Sequence, residues 1–268
     1  MKRGVFAIFF TLFFTIFAYG STITIGSLPN PNVVVAFVMK DKNFAEIQFV
    51  PVMGDVSTMV GLMKSRKVDA VFVNYEAAQK LAKDFNWVYA GSSISRAVHI
   101  ITTEPIKDKS DLERFNIVGS FRGGSPDILF KKLNIKKEPL FTDLNIAVQL
   151  FLKGEYNAIF LPEPHVSNVI LKMKKLNKNY YVYDILSLYP TPYRYPINAL
   201  LAKDVETQRK LVEATKKAVE FIENNPDEAT KIFNSNFKNY FNMEFPSAAL
   251  EEAIKNKRLK FEYFEYKE

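Results

Sequence analysis

Cysteine is absent from the 268 residues, which excludes a disulfide, a thiolate metal site, a cysteine nucleophile and a lipid-modified amino-terminal cysteine. Histidine is almost as scarce. His99 and His165 stand far apart, with no acidic residue at the helical spacings that would assist either, so neither a metal site nor any other cofactor is expected. No serine sits in a Gly-x-Ser-x-Gly setting, and no Gly-Lys-Ser/Thr closes a phosphate-binding loop, so the common hydrolase and nucleotide motifs are missing. A spanning helix takes roughly 20 apolar residues, and the run from Val5 to Phe17 falls short of that. There is no Ser/Gly-rich tether, so any separate lobes should be compact and closely apposed.

The chain opens with Lys2 and Arg3, then the apolar run, then Ala18-Tyr19-Gly20. That order reads as a secretory signal peptide over residues 1–20, cleaved before Ser21, with a retained anchor as the alternative. Cleavage takes the 268 residues to 248, enough for one large or two medium domains. The formal charge of +7 falls to +5 with the loss of Lys2 and Arg3. The lysines are interspersed with Glu and Asp, which describes a solvated surface rather than a nucleic-acid interface, with a mild pull on anionic ligands or membrane.

One stretch occurs twice. Leu62-Met63, then Asp69-Ala70-Val71-Phe72-Val73 and Asn74-Tyr75-Glu76, returns as Leu150-Phe151, then Asn157-Ala158-Ile159-Phe160-Leu161 and Pro162-Glu163-Pro164. Each copy reads as a helix end, a tight turn, a buried strand and a polar loop. Strands are expected at Thr22–Gly26, Ile47–Val50 and Val71–Val73, joined by helices as in a doubly wound parallel sheet. A second set follows: strand Ile117–Gly119, a helix from Pro126, strand Pro139–Phe141, a helix from Thr142-Asp143 to Lys153, and strand Ala158–Leu161. Crossings are placed at Glu104-Pro105 and after Pro196. Lobe 1 then takes residues 21–102 and 197–268, and lobe 2 residues 103–196, with two crossover strands as a hinge.

Ligands of open parallel sheets bind beyond the carboxyl ends of the strands, and the candidate residues lie there. The loop after the first strand offers Ser27 and Asn30, the second Asp55 and Ser57, with Asp55 also an N-cap for the next helix, and the third Asn74 and Tyr75. Arg122, Gly124 and Ser125 precede a helix whose first turn holds Pro126, a setting for an anionic or polar group or, more plainly, a turn with a Ser cap. Glu163 either contacts ligand or caps the next helix, and His165 borders the same loop. Tyr193 and Arg194 suit stacking on a planar ligand, or else the aromatic loop covers the core edge. His99 is expected in the core or hinge.

In their order, the leader, the paired α/β sets, the Gly-Ser-Pro loop, the Leu-x-x-Gly-x-x-Asn-Ala strand followed by Pro-Glu-Pro, and Phe221-Ile222-Glu223-Asn224-Asn225-Pro226-Asp227-Glu228-Ala229 resemble the periplasmic substrate-binding proteins of ABC importers. The nearest group includes binding proteins for nitrate, alkanesulfonates and thiamine-pyrimidine precursors. The resemblance runs over most of residues 21 to 236. It implies a two-lobed type 2 α/β fold, each lobe a mostly parallel sheet flanked by helices. It implies a periplasmic monomer that gives a small organic ligand, a heteroaromatic vitamin precursor or sulfonate, to a membrane permease and its ATPase, without chemistry or nucleic acid. A fungal pyrimidine synthase of the superfamily needs a cysteine-rich segment, which this chain lacks. The alternative is an exported enzyme with Glu163 or His165 as general base.

Overall fold

The computed structural model describes residues 22–265, apart from 121, 191–194 and 245. The leader, Tyr193 and Arg194 lie outside the described residues. None of the described helices is long and apolar enough to cross a membrane.

The chain begins as strand β1 (Ile23–Ser27), helix α1 (Val33–Asp41), β2 (Ile47–Pro51), α2 (Val56–Lys64), β3 (Ala70–Asn74) and α3 (Tyr75–Phe85). Two short strands follow, β4 (Val88–Tyr89) and β5 (Ser92–Arg96), and then β6 (Val98–Thr102), β7 (Ile117–Gly119), α4 (Ser125–Lys132), β8 (Leu140–Phe141), α5 (Leu144–Lys153), β9 (Ala158–Pro162), α6 (His165–Lys175) and β10 (Tyr181–Asp184). The last part is β11 (Asn198–Ala202), α7 (Val205–Asn224), α8 (Pro226–Phe241), α9 (Ser247–Lys255) and β12 (Lys260–Phe264).

The strands form two five-stranded mixed sheets, ordered β2-β1-β3-β11-β4 and β10-β6-β9-β7-β8, and a ribbon of β12 with β5. In the first sheet β1 runs parallel to β2 and β3, and in the second β7 runs parallel to β8 and β9. β11 returns antiparallel to β3, and β6 lies antiparallel to β9. The repeated stretch therefore supplies β3 and β9, the middle strands of the two sheets. The sheet change expected at Glu104-Pro105 comes earlier, because β6 already belongs to the second sheet and only Ala97 separates it from β5. The chain passes back to the first sheet between β10 and β11.

Core packing explains the helices. Val33 through Met39 of α1 are buried on every side, so a β-branched run that alone suits a strand becomes a helix enclosed by the first sheet, α7 and α8. Phe37 meets Phe49 edge-on at 4.9 Å and stacks on Tyr240 at 5.6 Å. Asp55 and Asp143 accept from the amides of their first helical turns, at 2.9 Å from Ser57 N and 2.8 Å from Asn145 N, as expected of N-caps. Buried Asn198 ties the ribbon to β11: its Oδ1 accepts from the Ser93 and Ile94 amides, each at 3.1 Å.

Candidate functional site

A cleft of about 330 Å³ lies where the strand ends of both sheets meet. From the first sheet it receives the loop Leu28 to Asn32, Val56 at the start of α2, and Val73-Asn74 at the end of β3. The second sheet contributes Gly124, Ser125 and Pro126 at the start of α4, and Pro162, Glu163 and His165 after β9. Ile94, Ala97, Val98, Ile197 and Leu259 complete the lining, from the segments where the chain passes between the sheets and from the end of the ribbon. The starts of α1, α2, α3, α4 and α6 thus gather around one space, which gives it partial positive charge and backbone donors. The lining residues are chiefly apolar, with three asparagines, one serine, one histidine and one glutamate among them. No Lys or Arg among the described residues lines it.

The candidate residues divide between this lining and its surroundings. Asn30, Asn74, Gly124, Ser125, Glu163 and His165 border the cleft. Asn30 Oδ1 accepts from Asn32 N at 2.9 Å, fixing the loop into α1, and Asn74 Oδ1 accepts from Ala77 N at 3.3 Å. Ser27 lies behind the surface, fully buried, its hydroxyl donating to Leu28 O at 3.1 Å. Asp55 and Ser57 are exposed beside Val56, and the Ser57 hydroxyl donates to the Asp55 carboxylate. Tyr75 packs edge-on against Tyr195, with ring centres 5.5 Å apart, and its hydroxyl accepts from Gln79 Nε2. Arg122 is exposed and lays its guanidinium over the Phe141 ring at 4.9 Å, outside the lining.

At α4 the expected Ser cap is corrected to glycine. Gly124 occupies the N-cap without a side-chain bond, and Ser125 is the first helical residue. Asp127 holds the preceding turn, accepting from Gly123 N at 2.7 Å and from Lys131 Nζ at 3.0 Å. Gly123 has φ of +78°, a left-handed conformation that favours glycine. Ser125 is therefore presented to the cleft on a fixed turn.

Glu163 takes the capping role among its two expected roles. The Glu163–Pro164 peptide bond is cis. One carboxylate oxygen accepts from Ser167 N at 3.0 Å, and the other accepts from the Ser167 hydroxyl at 3.0 Å and Arg258 Nε at 3.2 Å. The side chain is 0% exposed, so its carboxylate faces the protein rather than the cleft. Burial pushes its pKa up to about 7, against the opposing bonds from Ser167 and Arg258. Burial also lowers His165 to about 4 and, with Arg258 and Arg96 nearby, His99 to about 3, so both are uncharged at neutral pH. His99 is buried on β6, in the core as expected. Among the described residues no His/Cys/Asp/Glu group is arranged to hold a metal ion. Arg258 and Leu259 carried no local signal, since they reach the site only through the path of the chain end.

No family model matches the sequence, and no curated protein matches it. Solved structures do. An ABC transporter protein from Parabacteroides distasonis superposes with a TM-score of 0.70 at 16% identity, covering 90% of this chain and 86% of that one. The periplasmic aliphatic sulphonate binding protein SsuA of Escherichia coli gives 0.66 at 14%, covering 92% and 86%. A conserved Candida albicans protein described as exhibiting the generic periplasmic binding protein fold gives 0.54 at 15%, covering 90% and 81%. This chain has the periplasmic-binding-protein fold. At these identities the likeness establishes the fold alone.

Proposed function

We propose that this protein is the extracytoplasmic solute-binding component of an ABC importer, holding a small organic ligand between two lobes and passing it unchanged to a permease driven by an ATPase. The observation that carries the reading is the cleft, because loops from both sheets and five helix starts converge on it with no catalytic constellation among the described residues. Its volume suits a small ligand. One lobe takes residues 21–97 and 197–268 and the other 98–196, a first crossing at Ala97 replacing the one expected at Glu104-Pro105 because β6 pairs with β9 and β10. The protein acts as a periplasmic monomer whose leader ends at Gly20, and the lobes close over the ligand.

The lining supports an uncharged or weakly polar ring, such as a heteroaromatic vitamin precursor, over a sulfonate. A sulfonate would enter an apolar space with helix-start amides but no side-chain cation from the described residues. Ser125 and the α4 amides suit a ligand acceptor, and Asn30 and Asn74 can donate or accept. The enzyme alternative loses support at Glu163, whose carboxylate is enclosed and already bonded. Mass spectrometry of ligand released by denaturing the purified protein tests this function. A small uncharged heteroaromatic recovered unchanged is expected; a product formed from added ligand would overturn the binding role, and a bound sulfonate would overturn the ligand class.

A further inference from the structure

The β5–β12 ribbon and the turn leading into it carry two arginines that reach acids on the second sheet's side. Ile94, Leu259 and Phe261, from the ribbon and the residue before β12, are buried in the core shared by the first sheet, α1, α7 and α8, so the ribbon belongs physically to the first unit. Arg96 at the end of β5 reaches Asp184 at the end of β10, Nε to Oδ2 at 2.8 Å. Arg258, just before β12, reaches Glu163 after β9 at 3.2 Å and the Ser167 hydroxyl at 3.1 Å. Both acids belong to the second sheet's unit, and both are largely or wholly enclosed, with side-chain exposures of 18% and 0%. Both arginines come from the first.

The surroundings keep the Arg258 contact from being an ordinary surface pair, whereas in the other contact only Asp184 is enclosed and Arg96 is 43% exposed. Arg258 also lies 3.4 Å from Glu252 of α9, which in turn meets Lys174 of α6 at 2.9 Å, so the link continues across the α6–α9 contact. His99 of β6 lies close enough for both guanidiniums to disfavour its protonation, and its Nδ1 has no partner among the described residues. Ile94, Leu259 and Glu163 also line the cleft, so the Arg258 contact lies directly behind its wall and Arg96 follows two residues after a lining residue.

We propose that Arg96 and Arg258 are positioning residues for the cleft, a two-point clasp that sets the resting separation of the two units and so holds Asn30 and Asn74 opposite Ser125. Removing one partner leaves the other enclosed and unpaired or forces it to take up a proton, and either loss weakens what holds one unit against the other. Two attachment points fix an angle, whereas either one alone leaves rotation about a single contact. The inference rests on the cleft being the binding site, but its test requires no ligand.

Because the chain has no native cysteine, Lys67→Cys and Glu155→Cys introduce a clean pair of spin-label sites on exposed turns, one in each unit. Pulsed electron paramagnetic resonance then gives the distance distribution between the units. The double variant Arg96→Gln/Arg258→Gln is expected to broaden that distribution and move its mean. Glu163→Leu/Asp184→Leu removes the acceptors of both contacts while Arg258 keeps Ser167 and Glu252 and Arg96 stays partly exposed, and is expected to do likewise if the arginine variant fails to fold. Lys203→Gln, which removes an ion pair to Asp69 inside the first unit, should leave the distribution unchanged. An unaltered distribution in the acid-side variant, or equal broadening in Lys203→Gln, would overturn the clasp. Failure to recover a ligand bears on the binding role and leaves this result standing.

Discussion

Replacing Glu163 by Gln should change the pH dependence of stability in a direction fixed by the burial of its carboxylate. In the unfolded chain the group titrates near 4.5, and in the folded protein burial raises it to about 7. Between those values the folded protein keeps a proton that the unfolded chain has released, so rising pH favours unfolding. The displacement corresponds to roughly 3 kcal/mol when complete, absent below pH 4.5 and fully developed above pH 7. His99 and His165 act in the opposite sense: their folded values, about 3 and about 4, lie below 6.5, so their contribution is lost as pH falls through that range. The wild-type profile mixes these effects, and only its difference from Glu163→Gln isolates the carboxylate. Urea unfolding of both proteins at fixed temperature from pH 5 to 8 supplies that difference. The variant should gain on the wild type as pH rises to about 7 and then hold that lead. A flat difference would show that the folded carboxylate titrates normally, and a reversed slope would show that attraction to Arg258 outweighs burial; either refutes the reasoning.

Amino-terminal sequencing of exported material should begin at Ser21 or within a residue or two, and cytoplasmic protein retaining Met1 would defeat the localisation. Small-angle scattering should show compaction when the released ligand is added back, whereas an unchanged profile at saturation would argue for a fixed cleft. In titration calorimetry Ser125→Ala should weaken binding by about 0.5 to 1.5 kcal/mol, the scale of one neutral hydrogen bond, while Arg122→Ala, exposed and stacked on Phe141, should bind nearly as wild type. The reverse order would move the polar end of the ligand out to Arg122.

Much of the fold was legible because the middle strands are buried runs bounded by turn residues. Val71-Phe72-Val73 and Ala158-Ile159-Phe160-Leu161 are fully or almost fully buried, and their helices begin at acidic caps that local chemistry identifies. The edges were not. Ser92-Ser93-Ile94-Ser95-Arg96 looks like a polar loop, and it becomes β5 only because β12 pairs with it from the far end of the chain. Tyr181–Asp184 is likewise a strand through its pairing with β6. The first crossing was misplaced for a related reason: Val98–Thr102 has the apolar look of either sheet, and only its partners β9 and β10 assign it to the second.

The candidate site divides along the same physical line. Asn30, Asn74, Gly124 and Ser125 reach the cleft because strand ends and helix starts are local features, and a parallel sheet directs them to one edge. What local sequence could not decide was how each polar group would be used. Glu163 sits four residues before Ser167, so its capping role was available from the sequence, but the partner that closes off its carboxylate is Arg258, 95 positions away. Arg122 shows the converse, since a cation beside a Gly-rich helix start looks like an anion contact until Phe141 is found under it. How a charged residue near the cleft is held depends on partners that long-range packing supplies, as Arg258 does for Glu163 and Phe141 for Arg122. The amides and hydroxyl that keep one face toward the cleft are therefore the better guide to the ligand than the charges around it.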